Sequence, residues 1–267
     1  MKRKQILGLL SALLVGLGIS RILPLGIEKI SLLRPAFAQN QTLTVSAALS
    51  LKDALNEIGK EYQKEDPKTK ITYNFGSSGS LQQQIEQGAN MDLFISAANK
   101  QMDGVEKKGL LLPGSRQVFT QNQIVLITPK TDNEIKQFSD LTKPRVTKIA
   151  IAEPKSSPAG QYGEEVLRFY QILDKIKSKR IYGKDVRQVL TYVETGNVDA
   201  GLVFLTDAKT SNQVKIIATA PPNSHSPIIY PLAILKETKN ANSAKTFAKF
   251  LTSPQAETIL KKYGFGS

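Results

Sequence analysis

Between residues 42 and 109, short apolar runs alternate three times with amphipathic segments, and this alternation narrows the possible folds more than any other feature. Residues 42–48, 71–75 and 92–96 have the length and apolar content of buried strands. Ser50 precedes Leu51, Ala54, Leu55, Ile58 and Tyr62, which are spaced as one helix face. Asp53 stands three residues on, as a capping-box partner would. A second helix, from about 81 to 87, stops at Gly88, and a third, 100–108, stops at Gly109. Three such units in a row predict parallel strands joined by crossover helices.

The pattern continues with strands over 123–128, 148–152, 201–204, 215–218 and 228–235. Helices are expected over 162–173, from Val186 to Gly196, and across 243–263. Pro158 occupies a first helical position with Ser157 as its cap, and Asp185 caps the helix whose apolar face is Val186, Val189, Leu190 and Val193. The alternation makes two units of about a hundred residues each. The tail after His225 is too short to fold alone, so it returns to the first unit. The expected architecture is α/β with two lobes: 39–121 plus 226–267 form lobe 1, 122–225 form lobe 2, and the chain crosses near residues 120 and 225. Ligands of such sheets bind at the carboxyl ends of strands, here in the cleft between lobes.

The first residues obey a different rule. Lys2, Arg3 and Lys4 precede an apolar run over 6–19, and a second apolar stretch leads to Ala36-Phe37-Ala38. A basic start, a short apolar core and an A-x-A site define residues 1–38 as a cleaved signal peptide, with an uncleaved anchor as the alternative. The protein is then expected in the periplasm. The net charge is +13; removing residues 1–38 takes away six basic residues and one acid and leaves +8. The remaining basic residues are scattered rather than blocked, so a solvated surface is expected and nucleic acid is not. With no cysteine and one histidine, thiolate metal sites and disulfides are excluded, and the carboxylates show no metal-ligand spacing. No P-loop or dinucleotide fingerprint occurs.

Chemistry concentrates at the turns. Gly76-Ser77-Ser78-Gly79-Ser80 joins a strand to a helix with hydroxyls, glycines and no charge. Such a turn aims backbone N–H groups one way at the positive end of a helix, which suits an anion, a plain cap or a flexible turn. Ser50, the pair Pro158-Ala159 and Val186 mark three more helix starts, so each lobe contributes two. Four of them facing one cleft would hold an oxyanion by neutral donors alone. A proton on the ligand would find few acceptors there, so a fully deprotonated tetrahedral dianion fits best. About seven hydrogen bonds of roughly 1.5–3 kcal/mol each make micromolar to nanomolar binding reachable after dehydration is subtracted. A catalytic alternative is an exported serine hydrolase using Ser78, Asp199 or Asp207, and His225, in the chain order of α/β-hydrolases. Its turn departs from G-x-S-x-G at Ser80.

With these residues in place, the chain resembles the molybdate-binding proteins of molybdate ABC transporters, a periplasmic solute-binding family. The resemblance spans residues 42–266 and rests on Ala47-Ala48-Leu49-Ser50-Leu51, Phe75-Gly76-Ser77-Ser78-Gly79-Ser80-Leu81, Asp92-Leu93-Phe94-Ile95-Ser96-Ala97 and Pro158-Ala159-Gly160-Gln161-Tyr162. Residues 194–208 and the ending Ser253-Pro254-Gln255-Ala256 to Lys262-Tyr263-Gly264-Phe265 extend it. It implies the type II periplasmic-binding-protein fold, with two parallel-rich sheets flanked by helices. It also implies a non-enzymatic monomer that binds molybdate or tungstate and delivers it to an inner-membrane ABC permease, without a cofactor. Sulfate or another tetrahedral oxyanion is the alternative ligand. The implied ligand set is Ser50 and Ser78 through hydroxyl and N–H, and Ala159 and Val186 through N–H. A tyrosine hydroxyl completes the set in the family. Gly201-Leu202-Val203-Phe204 departs there, because Phe204 stands where the tyrosine belongs and cannot donate.

Overall fold

The computed structural model describes residues 41–266, and the expected signal peptide lies outside them. The first sheet is built from β1 (Gln41–Ala48), β2 (Thr69–Gly76), β3 (Leu93–Ile95), β4 (Gln117–Gln121) and, from late in the chain, β10 (Ile229–Ile234). Their order is β2-β1-β3-β10-β4. The second sheet takes β5 (Ile124–Pro129), β6 (Ile149–Ala152), β7 (Arg180–Gly183), β8 (Ala200–Phe204) and β9 (Val214–Thr219), in the order β7-β6-β8-β5-β9. Helices α1 (Lys52–Glu65), α2 (Ser78–Glu86) and α3 (Asn99–Lys107) accompany the first sheet. With the second go α4 (Pro158–Phe169), α5 (Val186–Glu194) and the short α6 (Leu205–Ala208). Helices α7 (Ala241–Leu251) and α8 (Pro254–Lys262) return to pack beside α1. This is the two-lobed α/β arrangement of type II binding proteins.

Each sheet has four strands running one way and a fifth reversed. β10 pairs antiparallel with both β3 and β4, and β5 pairs antiparallel with both β8 and β9. Each reversed strand is the first one after the chain crosses between sheets. The sequence gives no sign of this, because strand direction is not a property of local periodicity. The sheets are therefore mixed, though still parallel-rich.

Local expectations differ from the structure at a few points. Ser50 does not cap α1: it sits inside a 3₁₀ turn, Leu49–Leu51, that runs directly into the helix, and no side chain caps it. Asp53 faces the other lobe instead of closing a capping box. The helix expected over 162–173 begins at Pro158 and ends at Phe169, two residues before Gln171 takes a left-handed φ of 55°. The helical region over 243–263 is two helices, broken where Ser253 caps α8 by accepting from the Ala256 N–H. β4, β7 and α6 were not foreseen; near residue 120 only a crossing between lobes was expected. β7 is a four-residue edge strand whose Ile181 and Tyr182 are exposed, so it shows neither alternation nor a buried run. Gly88 and Gly109 do stop their helices, with φ of 86° and 68°.

Apolar faces fill the space between helices and sheets. Tyr62 on α1 lies 4.9 Å from Phe247 and 5.2 Å from Phe250, ring to ring, which fastens α7 beneath the first sheet. Phe247 is fully buried and distant in the fold from the cleft. Phe247→Ala is expected to cost about 3–5 kcal/mol, read as a lower denaturation midpoint with an unchanged slope.

Candidate functional site

Strands of both sheets end at one place. β1 runs into the Ser50 turn, β2 into α2, β6 through residues 153–157 into α4, β7 through Lys184-Asp185 into α5, and β8 into α6. Each join is the carboxyl end of a strand, where ligands of open α/β sheets bind. Among them lies a cavity of about 10 Å³, roughly the space of one water-sized probe, lined by Ser50, Ser77, Ser78, Ser157, Asp185, Val186 and Phe204 among others. Of the five residues expected from the sequence, Ser50, Ser78, Val186 and Phe204 line it. Ala159 does not; its neighbours Ser157 and Pro158 do, and Ala159 follows them in the first turn of α4.

The N–H groups at these helix starts have nowhere to go. Ser78 and Val186 open their helices and Ala159 is second in its own, so no preceding turn can supply an acceptor. None of the three finds another backbone acceptor among the described residues. All three residues are buried. A buried unpaired N–H costs about 1–3 kcal/mol, so these donors call for a partner of opposite polarity, and those of Ser78 and Val186 belong to residues that line the cavity.

The hydroxyls are arranged to donate as well. The Ala97 N–H donates to Ser78 Oγ at 2.9 Å, so the proton of Ser78 remains free for another acceptor. Ser50 Oγ lies 2.8 Å from the Tyr230 hydroxyl. Ser77 Oγ instead bonds Ser80 Oγ at 2.8 Å and shapes the turn. One charged residue lines the cavity: Asp185, whose carboxylate accepts the Gln188 N–H at 2.9 Å as the cap of α5. The cavity is therefore not free of charge, as the turns alone implied. Where the family tyrosine is expected, the buried Phe204 ring packs edge-on against Tyr230 at 5.8 Å and Tyr162 at 6.5 Å.

Two contacts join the lobes beside the cavity. The Gly79 N–H donates to the Ser156 carbonyl at 2.8 Å. A Cβ on Gly79 would lie 2.5 Å from that same oxygen, so only glycine permits the approach. Arg187, next to Val186, reaches across to Asp53 at 2.5 Å and holds Asp207 of its own lobe at 2.5 Å. Burial pushes the Asp207 carboxyl up to about 7 against the opposing pull of Arg187. Burial also works against the Arg187 charge, but Asp207 and Asp53 outweigh it and hold the guanidinium above its usual value.

The hydrolase constellation is not assembled. Asp207 pairs with Arg187, and Asp199 accepts the N–H groups of Thr147 and Lys148. His225 Nδ1 bonds its neighbour's carbonyl, at Ser226. Sequence reasoning missed Arg187 and Tyr230 beside the site, and gave Gly79 a place in the turn without its contact to the other lobe. Tyr230 sits in an apolar strand run that reads as core, and no local pattern marks Arg187.

Fold and site together define a two-lobed solute-binding protein with a small, donor-lined cleft. The chain belongs to the bacterial extracellular solute-binding protein family, whose model matches residues 43–266. It is 48% identical over 225 residues to a putative ABC transporter substrate-binding lipoprotein of Bacillus subtilis, covering 84% of this chain and 86% of that one. It is 38% identical over 236 residues to the molybdate-binding protein ModA of Haemophilus influenzae, covering 87% and 92%. The substrate binding domain of a putative molybdenum ABC transporter from Clostridium difficile superposes with a TM-score of 0.68 at 42% identity, over 85% of this chain and 98% of that one.

The Gly79–Ser156 approach makes a direct prediction. In Gly79→Ala, forcing a methyl against the Ser156 carbonyl costs about 1–3 kcal/mol wherever the lobes meet as described, and the expected result is a loss of roughly 5- to 150-fold in oxyanion affinity by calorimetry. Wild-type affinity in the variant would show that this approach is not needed for binding.

Proposed function

We propose that the protein captures molybdate, with tungstate as an equivalent ligand, and delivers it to an ABC permease in the inner membrane. The observation that carries this reading is the set of buried, unpaired N–H groups at Ser78, Ala159 and Val186 beside two serine hydroxyls. Preorganised donors gathered from both sheets around one cavity favour a compact anion with acceptors on every face. The molybdate-binding relatives supply the choice among tetrahedral oxyanions. Ser50 and Ser78 would serve through hydroxyl and N–H, Ala159 and Val186 through N–H, and Phe204 would contribute shape without a hydrogen bond. In this reading residues 1–38 direct export and are removed, and the mature protein works in the periplasm as a monomer, without a cofactor and without catalysis.

Calorimetric titration of residues 39–267 tests the reading. Molybdate and tungstate are expected to bind with micromolar or tighter affinity, and sulfate and phosphate far more weakly. If neither metal oxyanion produces heat or shifts the melting temperature, the ligand assignment fails. Phe204→Tyr is expected to tighten molybdate binding about tenfold, the worth of one hydrogen bond to an anion. An unchanged affinity would mean that the pocket has adapted to the missing hydroxyl.

A further inference from the structure

The crossing segment between the sheets holds a side chain whose orientation can be read without ambiguity. The Gln123 N–H donates to Asn122 Oδ1 at 2.9 Å, which fixes the amide so that Nδ2 faces inward. That nitrogen donates to Thr206 Oγ1 at 2.9 Å and to the Tyr230 hydroxyl oxygen at 3.1 Å. Tyr230 is fully buried, and its hydroxyl has two neighbours, Asn122 and Ser50. An amide nitrogen cannot accept, so the Tyr230 proton has one place to go, Ser50 Oγ. The reverse arrangement, Ser50 donating to Tyr230, would leave a buried O–H with no acceptor.

We propose that Asn122 and Tyr230 are positioning residues that set the polarity of the ligand site: their one-way chain of hydrogen bonds makes the Ser50 hydroxyl a donor toward the cavity. This inference rests on the oxyanion reading above and concerns how the site chooses among oxyanions. On the other wall, the Ala97 N–H imposes the same polarity on Ser78. Each serine then keeps its proton for the ligand, with one of its two lone pairs already engaged. A fully deprotonated dianion accepts from both through any of its oxygens, whereas hydrogen phosphate, with the same charge, carries a proton that meets the serine protons head-on and must turn to another acceptor, of which the cavity wall offers the Asp185 carboxylate. Burial pushes the Tyr230 hydroxyl well above its ordinary value, so it remains a donor wherever the protein is folded. The contribution of Ser50 to discrimination against a protonated oxyanion is thus set some distance behind the residue that touches the ligand, at the join between lobes. A buried tyrosine serving only as packing would have no such effect.

The test compares molybdate with hydrogen phosphate in calorimetric titrations of the wild type, Tyr230→Phe and Asn122→Asp, with circular dichroism melting to verify folding. Tyr230→Phe releases Ser50 to rotate and accept. The ratio of molybdate to hydrogen phosphate affinity should then fall about tenfold. Asn122→Asp turns the relay around, since a carboxylate accepts from Tyr230 and Ser50 must then donate to Tyr230 and present a lone pair. Where that variant folds, the ratio should fall further. In a Ser50→Ala background the Tyr230→Phe change should leave the ratio unmoved. Equal losses for both anions in Tyr230→Phe, at a constant ratio, would overturn the relay and leave Tyr230 a packing residue. A wild type that binds neither anion nor tungstate or sulfate would instead overturn the reading on which the relay rests. If sulfate proves the ligand, the same ratio measured with sulfate decides the relay.

Discussion

The organising constraint in this protein is the helix start that lacks an acceptor. Backbone donors at the first turn of a helix are normally turned toward water, because nothing within the helix can satisfy them. Here three of them lie buried at the meeting of two lobes, at Ser78, Ala159 and Val186. Burying them is unfavourable unless something electron-rich joins them, so a buried cleft and its anion stabilise each other. The topology follows from that need. Open α/β sheets place helix starts at the carboxyl edges of their strands, and two such edges face to face gather more of them than one sheet can. The inter-lobe contacts fit the same logic: Gly79 lets two backbones touch, and Arg187 ties Asp53 to Asp207 beside the cavity.

Much of this was legible in the sequence, for reasons that can be named. Strand and helix periods alternate cleanly over residues 42–109, and Gly88, Gly109 and Gly196 take the left-handed conformations that end helices. Asp185 caps its helix as its type and position predict. Ser78 and Val186 stand out in the sequence because chemistry at a helix start is local, whereas Phe204 stands out only through the family resemblance; all three line the cavity. What escaped was long-range. The reversal of β5 and β10 depends on which sheet the chain enters next. β7 is an exposed edge without a pattern. Asn122 and Tyr230 meet across 108 residues of sequence, and Ser50 and Tyr230 across 180, so no window of the sequence contains both partners. Ser50 shows the boundary between the two kinds of information. Its place beside the site was readable, but its bond is to Tyr230 and not to its own helix.

Phe204 marks the departure from the ligand set that the family resemblance implies. The aromatic ring remains in β8, buried and packed edge-on between Tyr230 and Tyr162. Only the oxygen is absent, and the backbone donors that define the cavity come from elements that do not depend on it.

The interleaving of the sheets has a consequence for how the chain must assemble. β10 lies between β3 and β4, so the first sheet has a gap at its centre until residues 229–234 exist, and α7 and α8 follow still later. The second sheet draws on residues 124–219 without interruption. In a chain made from its amino end, the later half can therefore condense before the earlier half is complete. Contacts of such long sequence separation form slowly, which leaves the opening third of the molecule unfinished until the last residues arrive.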